Sequence, residues 1–226
     1  MAVYSAGFDF GSSSASFAVL EDGAVLFDRS IPLPQRNASE LPRLMSDILL
    51  DFNLTFEDIS QWSVGAGPGS FTGLRIAAAF VAGLVFRKDV KTRGVSSAAA
   101  LAHTVFPDGG EPVLTLYDGR KNELLGFGLK YVNGSYEEDG FQTVVRNESD
   151  LAKLRASYFR FAALSADKEA VRAVCPVSVA LIDFAERLHA ASLVCWNPDD
   201  FTRPMTELTY LRPAVFVPPA AVRTDL

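Results

Sequence analysis

The chain has 226 residues, 49% of them hydrophobic and 21% charged, with a formal net charge of −6 and a pI near 5.0. That length suffices for a large core in one domain or two. An acidic chain without Lys/Arg clusters argues against gripping RNA or DNA by itself. Its longest apolar stretch, Ile76–Phe86, falls short of the roughly 20 residues that span a bilayer, and Met1–Ser5 shows no charged region before an apolar core. A cytoplasmic protein is the expectation. Cys175 and Cys195 are expected to be buried free thiols, and His103 and His189 lack the spacing of a metal pair. No metal site and no catalytic residue are expected.

Three short strands open the chain, at Val3–Phe10, Ser14–Leu20 and Ala24–Ile31, separated by Gly11–Ser14 and Glu21–Gly23. They read as an antiparallel meander. Leu41, Leu44, Met45, Ile48, Leu49 and Phe52 then recur at helical spacing, with Asn37 and Glu40 placed as a start cap. A strand at Gln61–Ala66 leads into a glycine-rich turn and a second helix that includes Ile76–Phe86. Val90–Gly94 reads as a strand, and Ser96–Phe106 as a helix capped by Ser96 or Ser97.

Pro107–Pro112 is the clearest boundary and divides the chain into residues 1–107 and 108–226. Strands follow at Val113–Tyr117, Leu124–Tyr131 and Phe141–Val145, the last two joined by an Asn133–Gly134 hairpin turn. A short helix after Ser149, a strand at Tyr158–Leu164 and a helix at Ser178–Ala191 complete the expected elements. That last helix takes its stripe from Leu181, Phe184, Ala185 and Leu188. The strand–turn–strand order of the first half restarts in the second. An α/β chain of two lobes, each a mixed sheet flanked by helices and the second reduced, matches the duplicated actin/Hsp70-like (ASKHA) architecture. A fold of that kind does not specify an activity.

The stretch Gly65-Ala-Gly-Pro-Gly-Ser-Phe-Thr-Gly-Leu-Arg75 carries the most information. Glycines allow positive φ or close backbone approach, Ser70 and Thr72 offer cap oxygens, and a glycine turn opening a helix exposes N–H groups to an anion. The same residues fit a close-packed turn that simply starts a helix. The loop lacks the Gly-Lys-Ser/Thr ending of a P-loop.

In Gly67, Pro68, Gly69, Ser70, Phe71, Thr72, Gly73 and Arg75 the loop closely resembles the GPGSFTGLR signature of the TsaB (YeaZ) family. Two weaker matches follow in family order, Asp118–Glu123 and Tyr210–Arg212, the first departing at Gly119. The resemblance implies a non-catalytic subunit that binds TsaD and supports formation of N6-threonylcarbamoyladenosine next to the anticodon of tRNA. It also implies self-pairing when alone and contact with the ATPase subunit TsaE through the complex. The paired surface would be the first two helices, through Leu41, Leu44, Met45, Ile48, Ile76, Ala77 and Phe80. No cofactor is expected on the chain itself, with ATP or ADP at a partner interface. The His-x-x-x-His pair with which TsaD holds its metal has no counterpart here.

Asp9, Gly11, Ser12 and Ser13 resemble the first phosphate loop of the ASKHA group, and this chain keeps a glycine that the TsaB pattern loses. They equally fit an Asx turn within the first hairpin. The matching turn of the second half, Asp118–Glu123, has two cations and no Ser/Thr pair. A small ASKHA-type ATPase or kinase working through Asp9, or a glycoprotease-like hydrolase, are the alternatives to the subunit reading.

Overall fold

A computed structural model describes residues 2–12, 14–31, 33 and 37–210 of the chain. The opening meander forms as its alternation dictates: β1 (Tyr4–Asp9), β2 (Ala15–Glu21) and β3 (Ala24–Ile31) pair antiparallel in sequence. β4 (Ile59–Gly65) then lies parallel to β1, and β5 (Lys91–Val95) parallel to β4. The sheet order is β3-β2-β1-β4-β5.

The second half repeats this. β6 (Val113–Asp118), β7 (Leu124–Val132) and β8 (Ser135–Val145) form the meander, and β9 (Arg160–Leu164) and β10 (Ile182–Ala185) add in parallel on the far side of β6. Read as β8-β7-β6-β9-β10, the order and every strand direction match the first sheet. The fold is therefore a duplicated α/β arrangement of two mixed sheets, and Asp9 and Asp118 end equivalent strands. Parallel pairs need crossover connections. Those of the first half run through α1 (Leu41–Leu50) and α2 (Phe71–Leu84); α3 (Ser97–Val105) follows β5. Those of the second run through α4 (Glu148–Leu154) and α5 (Lys168–Val174), and α6 (Ala191–Cys195) follows β10.

The outer face of the first sheet is covered by α1 and α2 over Phe8, Phe17, Trp62, Met45, Leu49 and Val81. Phe17 stacks on Trp62 with ring centroids 6.1 Å apart and meets Phe27 edge-on at 5.2 Å. Between the sheets the halves interlock. Ala98–Ala102 of α3, from the first half, pack with Tyr117, Phe127, Tyr136 and Leu164 of the second sheet. Ala190 and Val194, around α6 from the second half, pack with Ala18 and Leu20 of β2.

The α6 helix is fastened at both ends. At its N-terminus the Asp28 carboxylate accepts from Ala191 N at 3.0 Å and pairs with Arg187, whose other Nη donates to the Asp28 carbonyl at 2.8 Å. At its C-terminus sits Arg93, 1% exposed. Its Nε donates to Ser63 Oγ at 2.8 Å, and its two terminal nitrogens to the carbonyls of Leu193, Val194, Asn197 and Asp200. These bonds use the whole donor set of a guanidinium. Burial pulls the Arg93 pKa down to about 10, so it stays charged at neutral pH.

Three expectations need correction. Residues 178–191 do not form a helix: a 3₁₀ turn at Ser178–Leu181 gives way to β10, and α6 starts only at Ala191. Leu181, meant for the apolar stripe, is 46% exposed while Ile182 is 6% exposed. A short apolar run cannot choose helix over strand by period alone, and the open edge of β9 decides it by pairing with Ile182–Ala185. The α5 helix was not foreseen, because only Val171 and Val174 anchor it. Cys175 is buried and Cys195 exposed, and both are free. At α1, Asn37 Oδ1 caps a preceding 3₁₀ turn through Ser39 N at 3.3 Å, while Glu40 pairs with Arg43 instead of completing a reciprocal cap.

Arg93→Lys keeps the charge but cannot reach the same carbonyls. It should lower unfolding stability by about 3 kcal/mol in urea titrations, the scale for orphaning buried partners of a charged group.

Candidate functional site

A cleft of about 470 Å³ opens between the two sheets. It is lined by the turn after β1 (Asp9, Gly11, Ser12), the loop after β4 (Pro68, Gly69, Ser70, Phe71), the turn after β6 (Tyr117, Asp118, Gly119, Arg120) and the segment after β9 (Ala166, Asp167), closed by Ser97, Leu101, Leu164 and Leu188. All lie at the C-terminal ends of strands, where ligands of open α/β sheets usually bind. Segments singled out separately in the sequence thus meet in one place. Ser13 and Arg212 lie outside the described residues.

Asp9 is 2% exposed. Its Oδ1 accepts from Gly11 N at 2.9 Å and its Oδ2 from Ser97 Oγ at 2.8 Å. Burial raises its pKa, and both donors oppose that rise by favouring the ionised form. Ser12 Oγ donates to the Ser14 carbonyl at 2.9 Å and accepts from Ser14 N at 3.4 Å. Gly11 N and Ser12 Oγ, the donors this turn would turn toward a phosphate, are thus engaged within it. The equivalent turn repeats the device, with Arg120 N donating to Asp118 Oδ1 at 2.7 Å. It passes through Arg120, Lys121 and Asn122 at φ 63°, 54° and 55°. Left-handed backbone at such residues costs on the order of 1 kcal/mol each.

The signature loop packs onto the first turn. Gly69 lies so near Gly11 that a Cβ there would sit 2.8 Å from the Gly11 Cα, and Ser70 N donates to the Gly11 carbonyl at 2.7 Å. Gly67 has φ +95° and abuts the Thr209 carbonyl, whose residue donates N–H to the Ala66 carbonyl at 2.7 Å. Ser97 completes the lock, its N–H donating to the Gly67 carbonyl at 2.7 Å and its Oγ accepting from Gly67 N at 3.2 Å. Ser70 Oγ accepts from Gly73 N at 3.5 Å to start α2. Thr72 is exposed and outside the cleft. Arg75 lies 3.8 Å over the Phe71 ring, and its Nε donates to Tyr210 Oη at 3.1 Å. Tyr210, the last described residue, is thereby held against the signature loop. Glu123 turns away to Arg146, an exposed pair at 2.9 Å.

Sequence reasoning missed Tyr117, Ser97 and Asp167. Tyr117 is 6% exposed, and its hydroxyl is sealed from solvent beside Thr115. Burial, with Asp9 and Asp167 next, pushes its pKa well up. Burial and then Asp118 raise the Asp167 pKa to about 6. The duplication offered the signal: Asp167 follows β9 as the glycine loop follows β4. Among the described residues, no group of three or more His, Cys, Asp or Glu side chains is arranged to hold a metal ion, and no helix is long and apolar enough to cross a membrane.

On the outer helices, Leu41, Met45 and Ala77, expected at a partner surface, are 0–1% exposed inside the chain's own core. Their spacing marked the inward face of each helix. Leu44, Ile48, Ile76 and Phe80 are only partly buried.

A family model described as "TsaD: tRNA N6-adenosine threonylcarbamoyltransferase" matches residues 34–153. The chain belongs to this family. Within it, the relatives found are TsaB (YeaZ) proteins. It is 29% identical over 117 residues to the tRNA threonylcarbamoyladenosine biosynthesis protein TsaB of Escherichia coli, covering 51% of this chain and 50% of that protein. The TsaB of Haemophilus influenzae matches equally, with 49% of that protein covered. The Bacillus subtilis protein is 25% identical over 130 residues, 58% of this chain and 56% of that one. The chain thus matches about half the length of these curated relatives. Among solved structures, YeaZ from Pseudomonas aeruginosa superposes with a TM-score of 0.66 at 23% identity, over 85% of this chain and 89% of that one. A protein with similarity to peptidase YeaZ, also from Pseudomonas aeruginosa, reaches 0.72 at 22% identity, over 93% of this chain and all of that one. These two share the fold.

Asp167 has a folded pKa above its ordinary value, so its ionisation in the cleft opposes folding. That penalty is absent below about pH 4, develops between about pH 4 and 6, and is complete above that range. Asp167→Asn should therefore raise stability at pH 7 by roughly 1 kcal/mol, discounted for solvent at the open cleft, and leave it unchanged near pH 4. Thermal denaturation at the two pH values measures the difference.

Proposed function

We propose that this chain is a non-catalytic subunit that binds a TsaD-type protein and supports its transfer of threonylcarbamoyl to the adenosine beside the anticodon of tRNA. The observation that carries this reading is the family match, joined to a cleft whose phosphate-type turn has already spent its donors inside the chain. The signature loop supports it too, because its glycines serve close packing against Gly11 and Thr209. A net charge of −6 fits a subunit that leaves tRNA to its partner. The assembly works in the cytoplasm, ATP or ADP binds where subunits meet, and TsaE joins through the complex.

The partner surface, and the self-pairing surface when the chain is alone, is the outer face of α1 and α2. Leu44, Ile48, Ile76 and Phe80 lie there half-buried, beside exposed Ala79 and Gly83. One face serving both pairings makes them compete. Binding only the active form of the partner shifts its population toward that form.

Leu44→Glu and Ala79→Arg place charges on this face at positions outside the fully buried core. Each should leave a folded monomer that no longer co-elutes with the TsaD-type protein of the same organism on a sizing column. Unchanged co-elution of both variants would exclude this face, and failure of the wild type to co-elute would exclude the partnership.

A further inference from the structure

We propose that a second cavity, at the foot of the first sheet, binds a small organic carboxylate through Lys91, Gln61 and Ser63, with the buried charge of Arg93 behind them. This goes beyond the subunit reading and does not depend on it. The cavity holds about 410 Å³ and lies between the N-terminal ends of β1, β4 and β5 and the segment that follows α6. Strand register sets its polar groups in two rows. Ser5, Gln61 and Lys91 are paired neighbours on β1, β4 and β5, and Ser63 and Arg93 form the next row on the same face. Leu20, Val194 and Phe201 supply an apolar wall.

Two cations stand here without a counter-ion. Among the described residues, neither Lys91 nor Arg93 has a carboxylate at ion-pair distance. The carbonyls that take up the Arg93 donors carry no net charge, and Asp199 and Asp200 act on it only from farther off. Both cations lean on one ring, Arg93 Cζ at 4.9 Å and Lys91 Nζ at 5.7 Å from the Phe201 centroid. Like charges gathered in this way repel, and a buried charge normally has a partner. The one acid facing the cavity is Asp199, exposed at its rim, so the lining is cationic in balance.

The hydrogen-bond inventory has the same sign. Ser5 Oγ donates to Gln61 Oε1 at 3.3 Å, which leaves the N–H pair of that amide without an acceptor among the described residues. Ser63 Oγ accepts from Arg93 Nε at 2.8 Å and keeps its own hydrogen to give. With the ammonium of Lys91 these are donors from three adjacent positions. A carboxylate is acceptor-only and carries one negative charge, which is the complement of that set.

Other occupants fit less well. An organic cation would add charge to Lys91 and Arg93. A neutral alcohol would leave both without a counter-ion. Inorganic phosphate would meet the donors but leave the wall of Leu20, Val194 and Phe201 uncovered. About 410 Å³ suits a small molecule with an apolar body.

The probe is hexanoate, titrated calorimetrically into the full chain at pH 7.5 and low salt, with 1-hexanol, hexylamine and inorganic phosphate in parallel. Hexanoate should bind saturably, one molecule per chain, and more weakly as salt is added. Affinity should fall about tenfold in Lys91→Met and several-fold in Gln61→Leu, the cost of losing one charged and one neutral hydrogen bond. Lys91 is exposed and Gln61 half-buried, so both variants should fold, and thermal denaturation checks that they do. The proposal is overturned if hexanoate gives no saturable binding, if both folded variants bind it as the wild type does, or if hexanol, hexylamine or phosphate binds as tightly. None of these outcomes bears on co-elution with a TsaD-type protein.

Discussion

A helix of five residues, α6, fixes how the two halves of this molecule meet. Helix ends leave backbone groups unpaired, donors at the start and acceptors at the finish. The first sheet supplies the complement to each, a carboxylate from Asp28 at the start and a guanidinium from Arg93 at the finish. Charge of those signs also suits the helix dipole. So short a helix has little stability of its own, and its position is set by these two side chains. With α3 crossing the opposite way to pack on the second sheet, neither half keeps its last helix to itself. The cleft walls are therefore held by a crossed pair of helices, and the acids of the two equivalent turns face a common space.

The glycine signature has the same logic one layer out. Gly69 against Gly11 joins the loop after β4 to the turn after β1, and Gly67 against Thr209 joins it to the end of the described chain. Arg75, between Phe71 and Tyr210, closes the same contact from outside. A motif that looks like an anion cradle in sequence has its close approaches spent on backbone.

Much of this was legible in the residues. The meanders, the strands β4 and β5, and the Asn133–Gly134 turn follow from apolar patterning and turn chemistry, and both turn residues have positive φ. The repeat of element order foretold the duplication. The stretch 178–191 was not legible, because Ile182–Ala185 is a strand only by virtue of a neighbour's open edge. Apolar spacing on α1 and α2 found the amphipathic faces but could not separate Met45, sealed at 0% exposure, from half-buried Leu44. In the cleft, Asp9 and Asp118 could be found from their turn motifs. Tyr117 and Asp167 could not, since their roles come from burial and from a lobe contact that no local pattern encodes.

A cleft that has kept its acids and a loop that has turned its glycines to packing suit a protein that works by being bound. The most direct measurement is N6-threonylcarbamoyladenosine formed on tRNA by the TsaD-type protein of the same organism, with this chain present or omitted and with this chain alone. The account predicts product from the pair with the remaining components of the reaction, little without this chain, and none from this chain without its partner. Modification by this chain in the absence of the TsaD-type protein, or full activity of that protein without this chain, would contradict it.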